Sequence, residues 1–233
     1  MSARTYLPTL AQIGVLFEEE CSALGATSID SCTDDHRLFQ RAVLGPAEVV
    51  RPGDAIRGGV ALRAEGQWVL LHPYSWREVC TNGAISARVT STVRVERVLV
   101  EATTIAAAFV GGFESELRRA IQASSDPSHL TQAAEQMRGA AELDAEMMIM
   151  LLPHLLRSTG VARHGLLSSI VDRFEESEDR SAFGLVNAVT SVARDARDPD
   201  VKWALETAGG ELLTRAQSQV AGGGRPIREL VSA

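Results

Sequence analysis

The sequence predicts an α+β protein with an N-terminal helix, an antiparallel β-hairpin sheet in the middle third and a helical C-terminal half packed on that sheet. Short β-type runs separated by Gly-Pro and Pro-Gly pairs fill residues 37–100, and helical periodicity dominates from residue 101 onward. The connections between the predicted strands are too short for parallel crossovers. An apolar fraction of 45% in 233 residues is enough for a substantial core.

The first helix is predicted over residues 8–24, where Leu10, Ile13 and Leu16 share a loose apolar face. Gly25 follows it and suits the left-handed conformation that ends many helices. The polar segment after Gly25 is predicted to be turn structure.

Five strands are predicted in the middle third from β-branched and alternating runs. The turns between them are expected at Gly45-Pro46, Pro52-Gly53-Asp54 and Glu65-Gly66, because these residues pre-set or tolerate turn dihedrals. A further turn is expected at Asn82-Gly83, since both residues accept positive φ. The predicted strands are Arg37–Leu44, Ala47–Val50, Ile56–Arg63, Trp68–Tyr74 and Val89–Val100.

Six helices are predicted in the C-terminal half. Asp126-Pro127-Ser128 and Asp198-Pro199 are typical helix starts, with proline in the first turn and a capping side chain before it. Gly111-Gly112 is expected to interrupt or kink the first of these helices, and Pro153 to bend or divide the third. The predicted helices are Glu101–Ala123, Pro127–Gly139, Leu143–Leu156, Leu166–Glu176, Ser181–Arg197 and Pro199–Gln219.

One domain is expected over residues 1–220, β-rich in residues 37–100 and helical in residues 101–219. Residues 221–233 begin Ala-Gly-Gly-Gly-Arg-Pro and are predicted to form a flexible tail.

Three features bear on location. The chain has no apolar run approaching the roughly 18 residues of a membrane span. Its first eight residues contain a single basic residue, and no small-residue cleavage site follows the first helix. The odd set of Cys21, Cys32 and Cys80 is a poor disulfide framework. We therefore expect a cytoplasmic protein with reduced thiols and no membrane partner.

Charge argues against one class of nucleic-acid binder and leaves another open. The formal net charge of −7 does not fit the basic surface of typical duplex-DNA binders. Residues 41–100, however, carry eight arginines against five acids, a net charge of +3. Arginine supplies 22 of the 23 basic residues, which GC-rich coding explains as well as selection for phosphate contacts does.

Arginines and aromatic rings on a sheet are a common way to hold single-stranded nucleic acid. Trp68, Tyr74 and Trp76 lie among the arginines of the middle third. The candidate nucleic-acid-binding residues are Arg57, Arg63, Arg77, Arg88, Arg94 and Arg97.

No catalytic residue, metal ligand or cofactor is predicted. Cys32-x3-His36 is the nearest approach to a metal motif, and its spacing fits no zinc finger or ribbon. Cys80 is the one tempting nucleophile, with Arg77 nearby to favour a thiolate, although a buried structural thiol is the simpler interpretation. The acidic runs fit solvated helix faces, because adjacent helical residues point about 100° apart.

Three segments of the chain contain motifs similar to those of a known family. They read R-x-V-C-x-N-G at residues 77–83, G-L-x-N-A-V-T at residues 184–190 and L-E-x-x-G-G at residues 205–210. In these motifs and their order the chain resembles, over about residues 8–215, the phage/plasmid-like family called domain of unknown function 932, also uncharacterised protein family 0380. The resemblance implies a mobile-element context and carries over no established activity. The motif residues expected to be structural are Cys80, Asn82, Gly83, Asn187 and Thr190.

Asn187 is expected to be buried, because its helical neighbours Leu185, Val186 and Val189 are apolar. A buried amide needs hydrogen-bond partners. The hypothesis is that Asn187 clamps its helix onto the Asn82-Gly83 turn.

Three function classes remain open. The leading one is a non-enzymatic, single-stranded nucleic-acid-binding or annealing-type homo-oligomer, with single-stranded DNA as the partner. The alternative is a protein-interaction or accessory factor that acts on a host or phage protein without nucleic acid. The third is an enzyme that uses Cys80 or an unrecognised metal. Met147, Met148 and Met150 lie in an apolar helix and fit a core or subunit contact better than a cofactor site.

Overall fold

An N-terminal helix, a curled antiparallel sheet and a series of helices follow one another along the chain, as predicted. The structure is a computed structural model, and it describes residues 4–6, 8–66, 68–78, 82–85, 91–94, 98–100, 103–160 and 165–221. The strands are β1 Arg4–Tyr6, β2 Ser28–Thr33, β3 Arg37–Arg51, β4 Asp54–Glu65, β5 Trp68–Arg77, β6 Asn82–Ile85, β7 Ser91–Arg94 and β8 Val98–Val100. The helices are α1 Leu10–Ala23, α2 Thr103–Ser124, α3 Pro127–Ala141, α4 Glu146–Ser158, α5 Leu166–Glu176, α6 Ala182–Asp195 and α7 Pro199–Ala221.

The main sheet has the strand order β2-β3-β4-β5-β6, and β7 pairs with β5 outside this path. β1 and β8 form a separate two-stranded antiparallel sheet. β6, the last strand of the path, packs against α6 and α7, so C-terminal helices cover this end of the sheet as expected.

The first helix is confirmed, and its ends have clear local causes. Thr9 and Gln12 form a capping box at the N-terminus of α1, in which each side chain bonds the other residue's backbone N–H. At the other end Gly25 takes a φ of 83°, the left-handed conformation that glycine adopts without a steric penalty.

Two expectations about the strands are wrong. β3 runs unbroken from Arg37 to Arg51 through the predicted turn at Gly45-Pro46. At this exposed position Gly45 has a φ of 65°, a backbone conformation that glycine adopts without strain, and the strand continues beyond it. The predicted turn segment after α1 contains β2, which pairs with β3 from Ser28↔Val43 to Thr33↔Leu38. Most side chains of β2 are exposed, which explains its polar composition.

Two predicted hairpin turns and the bounds of one helix are confirmed. Gly53 and Gly66 have φ values of 77° and 59° at the two predicted hairpin turns. The bounds of α5 are those predicted, and α4 contains Pro153 without being divided. α2 is a single helix through Gly111-Gly112, so it is not interrupted there, and the alternative of a kink stays a prediction. The predicted tail lies outside the described residues from position 222 onward.

The chain divides into two compact units. Unit 1 comprises residues 1–47, 57–76 and 88–130, and unit 2 comprises residues 48–56, 77–87 and 131–233. The expectation of one domain over residues 1–220 stays a prediction.

Each unit has its own apolar core. In unit 1, α1, α2 and the strands bury Phe17, Leu62, Leu71 and Leu117 completely. In unit 2, α6 packs against α5, α7 and β6, and it buries Phe183, Leu185 and Val189 completely. Within the described ranges, no helix combines the length and apolar character needed to cross a membrane.

Candidate functional site

Three arginines of the predicted nucleic-acid-binding set, Arg57, Arg63 and Arg77, each have a partner inside the chain. Arg57 donates a hydrogen bond from a terminal guanidinium nitrogen to the Gly45 carbonyl oxygen at 2.9 Å. Arg63 forms an ion pair with Glu65 at 2.6 Å, and its guanidinium carbon lies 5.1 Å from the centre of the Phe39 ring. Both guanidinium groups are therefore already engaged within the chain.

Arg77 is buried. Its Nε and one terminal nitrogen donate to the two carboxylate oxygens of Asp54 at 2.7 and 2.6 Å, a bidentate pair. The two side chains are only 10% and 5% exposed, so this guanidinium cannot reach a polyanion in solution. Arg88 and Arg97 lie outside the described residues. Arg94 belongs to β7, where it is the register partner of Trp68.

Both faces of β4 are covered near its middle. Val60, Ala61 and Leu62 are consecutive residues of β4, and all three are fully buried. Successive residues of a strand point to opposite faces of the sheet. The expected open arginine face is therefore absent at this position, in the part of the sheet that the structure describes.

Arg77 belongs to a chain of alternating charges in unit 2, formed by Asp179, Arg51, Asp54 and Arg77, which we call the ion-pair chain. Arg51 lies 3.3 Å from the Asp54 carboxylate and 2.9 Å from the Asp179 carboxylate. The guanidinium carbons of Arg51 and Arg77 lie 4.9 and 5.2 Å from the centre of the buried Phe183 ring, distances suited to cation–π attraction.

The ion-pair chain ends at the N-terminus of α6. The Asp179 carboxylate accepts hydrogen bonds from the backbone and side chain of Ser181, which in turn caps the helix by accepting from the Gly184 N–H. Burial acts to raise the pKa of Asp179, but the hydrogen bonds from Ser181 and Arg51 outweigh it and hold this pKa below the usual value of 3.8. Asp179 is therefore ionised at neutral pH.

The three motif segments meet in a buried cluster of unit 2, formed by Asn82, Ala84, Thr190 and Gly209, which we call the motif junction. The Asn82 side-chain amide donates to the Thr190 hydroxyl at 2.7 Å. A side chain at Gly209 would lie 2.8 Å from the Thr190 methyl group, so α7 and α6 approach closely here. The motif junction is closed to solvent and supports a structural role for Asn82 and Thr190.

Two details of the motif prediction are wrong. Asn82 and Gly83 lie in strand β6 and do not form a turn. The clamp onto this segment comes from Thr190, and Asn187 is only partly buried, with no side-chain hydrogen bond among the described residues. Thr190 follows Asn187 by three residues, so it lies on a nearby part of the same helix face. Cys80 lies outside the described residues.

The Thr190→Val substitution is expected to destabilise the chain by about 1–3 kcal/mol, because it leaves the buried Asn82 amide without its acceptor. The Asn187→Ala substitution is expected to change stability by less than about 1 kcal/mol, since its side chain is not bonded in the described part of the chain. Urea denaturation of both variants measures these values.

Thr207→Val is the matched control for Thr190→Val. The Thr207 hydroxyl is partly buried and donates to the Trp203 carbonyl one turn earlier in α7, so its loss leaves no buried amide unpaired. Equal effects of the two threonine substitutions would contradict the assigned Asn82–Thr190 bond.

The two described cysteines lie in different surroundings, one buried and one exposed. Burial, with a smaller contribution from the neighbouring Glu20 charge, raises the pKa of Cys21 to about 12, so this thiol stays protonated at neutral pH. Cys32 is exposed on β2. No group of three or more histidine, cysteine, aspartate or glutamate side chains in the described ranges could hold a metal ion.

An open apolar groove lies between α1 and α2 in unit 1, and we call it the α1–α2 groove. Its volume is about 380 Å³, which is within the usual size of ligand pockets. Val15 is 53% exposed on it, whereas Leu16 and Phe113 are buried beneath. The groove is lined by Pro8, Ala11, Gln12, Val15, Leu16, Glu19, Phe113, Glu114 and Arg118.

A second cleft of about 610 Å³ lies among α5, α6 and α7 in unit 2. Its lining is mainly charged, and Asp195 forms ion pairs with Arg173 at 2.8 Å and Arg194 at 3.0 Å. Its lining carries four carboxylates against two arginines, so the cleft keeps a net negative charge.

No protein-family model, no curated protein and no solved structure matches this chain.

Proposed function

We propose that this chain is a non-enzymatic protein-binding module that engages a partner protein through the α1–α2 groove. The observation that carries the proposal is the groove itself, an apolar surface beside which a large aliphatic side chain is left half exposed. Hydrophobic grooves are a recurring means by which proteins bind a segment of a partner protein.

The composition of the groove supports a protein partner over a reaction. Its walls are mainly aliphatic and aromatic, and its polar groups are glutamates, one glutamine and an arginine already paired with acids. Apart from Glu19 and Glu114, the described residues at the groove include no side chain that commonly acts as a nucleophile or base.

The contacts of the arginines support this proposal over the nucleic-acid one. Arg63 and Arg77 are paired with carboxylates, and Arg57 is bonded to a backbone carbonyl. Phosphate contacts by these three side chains would have to replace bonds already present within the chain.

The proposal agrees with a mobile-element context of the kind that the resemblance implies. Membership of the domain of unknown function 932 family stays a proposal, supported by the meeting of the three motif segments in the motif junction. In this view the motifs maintain unit 2, while the binding surface lies in unit 1.

A phage-displayed library of random peptides, selected on the purified chain, tests the proposed function. We expect selected peptides whose affinity falls by about tenfold or more in the Val15→Gln variant, since burying a valine side chain contributes roughly 1.5–3 kcal/mol. Fluorescence titration of the purified peptides measures this change.

Val49→Gln is the matched control, because Val49 is 59% exposed and lies on β3 outside the groove. This substitution should leave the affinity of the selected peptides unchanged. Peptides that bind wild-type and Val15→Gln chains equally would contradict the proposed function.

Single-stranded nucleic acid is the second candidate partner, favoured by one specific observation. Trp68 is 49% exposed at the start of β5, and its cross-strand partner is Arg94. An exposed ring beside an arginine position can stack a base. Salt-dependent binding of a labelled single-stranded oligonucleotide that weakens in Trp68→Ala would favour this candidate.

A further inference from the structure

We infer that the partner segment bound in the α1–α2 groove is an amphipathic helix with lysine or arginine flanking its apolar stripe. This inference rests on the proposed function and names the chemistry of the partner.

The walls of the groove favour a helix over an extended strand. Both walls are helices, whose backbone N–H and C=O groups bond along the helix and offer no free edge for strand addition. Binding must therefore depend on side chains. A helix presents its apolar side chains as a continuous stripe, the shape that fits a groove between two helices.

The volume of the groove limits how many apolar side chains of the partner helix it can hold. A cavity of about 150 Å³ holds a benzene molecule. The groove volume of about 380 Å³ therefore fits two or three large apolar side chains. On a helix, that number corresponds to anchors at positions i, i+3 or i+4, and i+7.

Charge favours a basic partner. Glu19 and Glu114 line the groove, and the only basic side chain among the described lining residues is Arg118. Arg118 forms ion pairs with Glu19 at 3.0 Å and with Glu20 at 2.9 Å. Glu114 has no hydrogen-bond or ion-pair partner among the described residues, so its negative charge is available to a cation.

The same charges disfavour two other occupants. A polynucleotide or an anionic membrane surface would bring negative charge beside Glu114 and Glu19, and like charges repel. A second copy of this chain would bring an α1 that carries Glu18, Glu19 and Glu20 and no basic residue. A basic helix of another protein is the occupant that the groove complements.

Two synthetic amphipathic peptides of about 18 residues, or five helical turns, test the inference. They share one leucine stripe, and the flanking positions are lysine in one peptide and glutamate in the other. At low ionic strength we expect the lysine peptide to bind the full chain at least about tenfold more tightly, with a smaller difference at high salt. Isothermal titration calorimetry measures both affinities.

The Glu114→Gln substitution should lower the affinity for the lysine peptide by about two- to fivefold, the range of a single exposed charge pair. Glu116→Gln is the matched control, because Glu116 is exposed on the same helix and does not line the groove. The Glu116→Gln variant should bind the lysine peptide with the same affinity as the wild-type chain. Loss of lysine-peptide binding in Val15→Gln, but not in Val49→Gln, places the peptide in the groove.

Three results would overturn the inference. They are equal binding of the two peptides, equal effects of the Glu114 and Glu116 substitutions, and sedimentation showing a Val15-dependent dimer of the chain alone. If display nevertheless selects Val15-dependent peptides that are acidic or extended, the proposed function stands and only the inference fails. If no displayed or synthetic peptide depends on Val15, both fail.

Discussion

Replacing Asp54 by alanine is expected to destabilise the chain by about 3–5 kcal/mol, the usual effect of removing one partner from a buried ion pair. The substitution leaves the Arg77 guanidinium buried without the carboxylate that accepts its two hydrogen bonds. It also removes the 3.3 Å contact between Asp54 and Arg51, so the middle of the ion-pair chain is lost. Urea denaturation followed by circular dichroism measures the free energy of unfolding.

An exposed arginine–carboxylate pair provides the control. Glu65 is 51% exposed and pairs with Arg63 at 2.6 Å, so Glu65→Ala should change stability by no more than about 1 kcal/mol. The double variant Asp54→Ala/Arg77→Leu should recover part of the loss, because it removes the unpaired buried charge. A loss for Asp54→Ala no larger than that for Glu65→Ala would contradict the burial assigned to the Asp54–Arg77 pair.

Replacing Gly184 by alanine is expected to cost about 3 kcal/mol or more. The new Cβ atom would lie closer than 3.0 Å to the backbone carbonyl of Asp179, a contact that neighbouring side chains cannot relieve. The backbone would have to shift at the start of α6, where Asp179 also bonds Ser181 and Arg51. The helix cap and the end of the ion-pair chain would therefore weaken together.

Gly112→Ala is the control, because Gly112 is helical and nothing lies within 4 Å of the added Cβ. Alanine has the higher helix propensity, so this variant should be neutral or more stable by about 0.4–1 kcal/mol. Thermal denaturation of the two variants gives the comparison. Similar melting temperatures for Gly184→Ala and the wild-type chain would show that residues 179–184 are packed less closely than the structure has them.

The fold could be predicted from local signals where those signals are strong. Helix α5 begins and ends at the predicted residues, and the hairpin turns at Gly53 and Gly66 follow from residues that favour turns. The predictions failed where the same short sequence is compatible with two different backbone structures. Gly45-Pro46 can form a turn or an irregular position in a strand, and Asn82-Gly83 can form a turn or lie in a paired strand.

The candidate site was harder to predict, because its contacts join distant parts of the chain. Asp54 and Arg77 are 23 residues apart, and Asn82 and Thr190 are 108 residues apart. The sequence offers no signal that Arg77 is paired and buried, since arginine is exposed in most proteins. The α1–α2 groove likewise depends on how two helices 80 or more residues apart pack together.

The sequence by itself determined the fold class, the positions of most helices and the two hairpin turns, because helix caps, turn residues and apolar periodicity act over a few residues. Only the tertiary structure decided which charges are used inside the protein and which surface is left open. Ion pairs such as Asp54–Arg77 and the half-exposed Val15 depend on which elements meet in space, and that is set by packing of the whole chain.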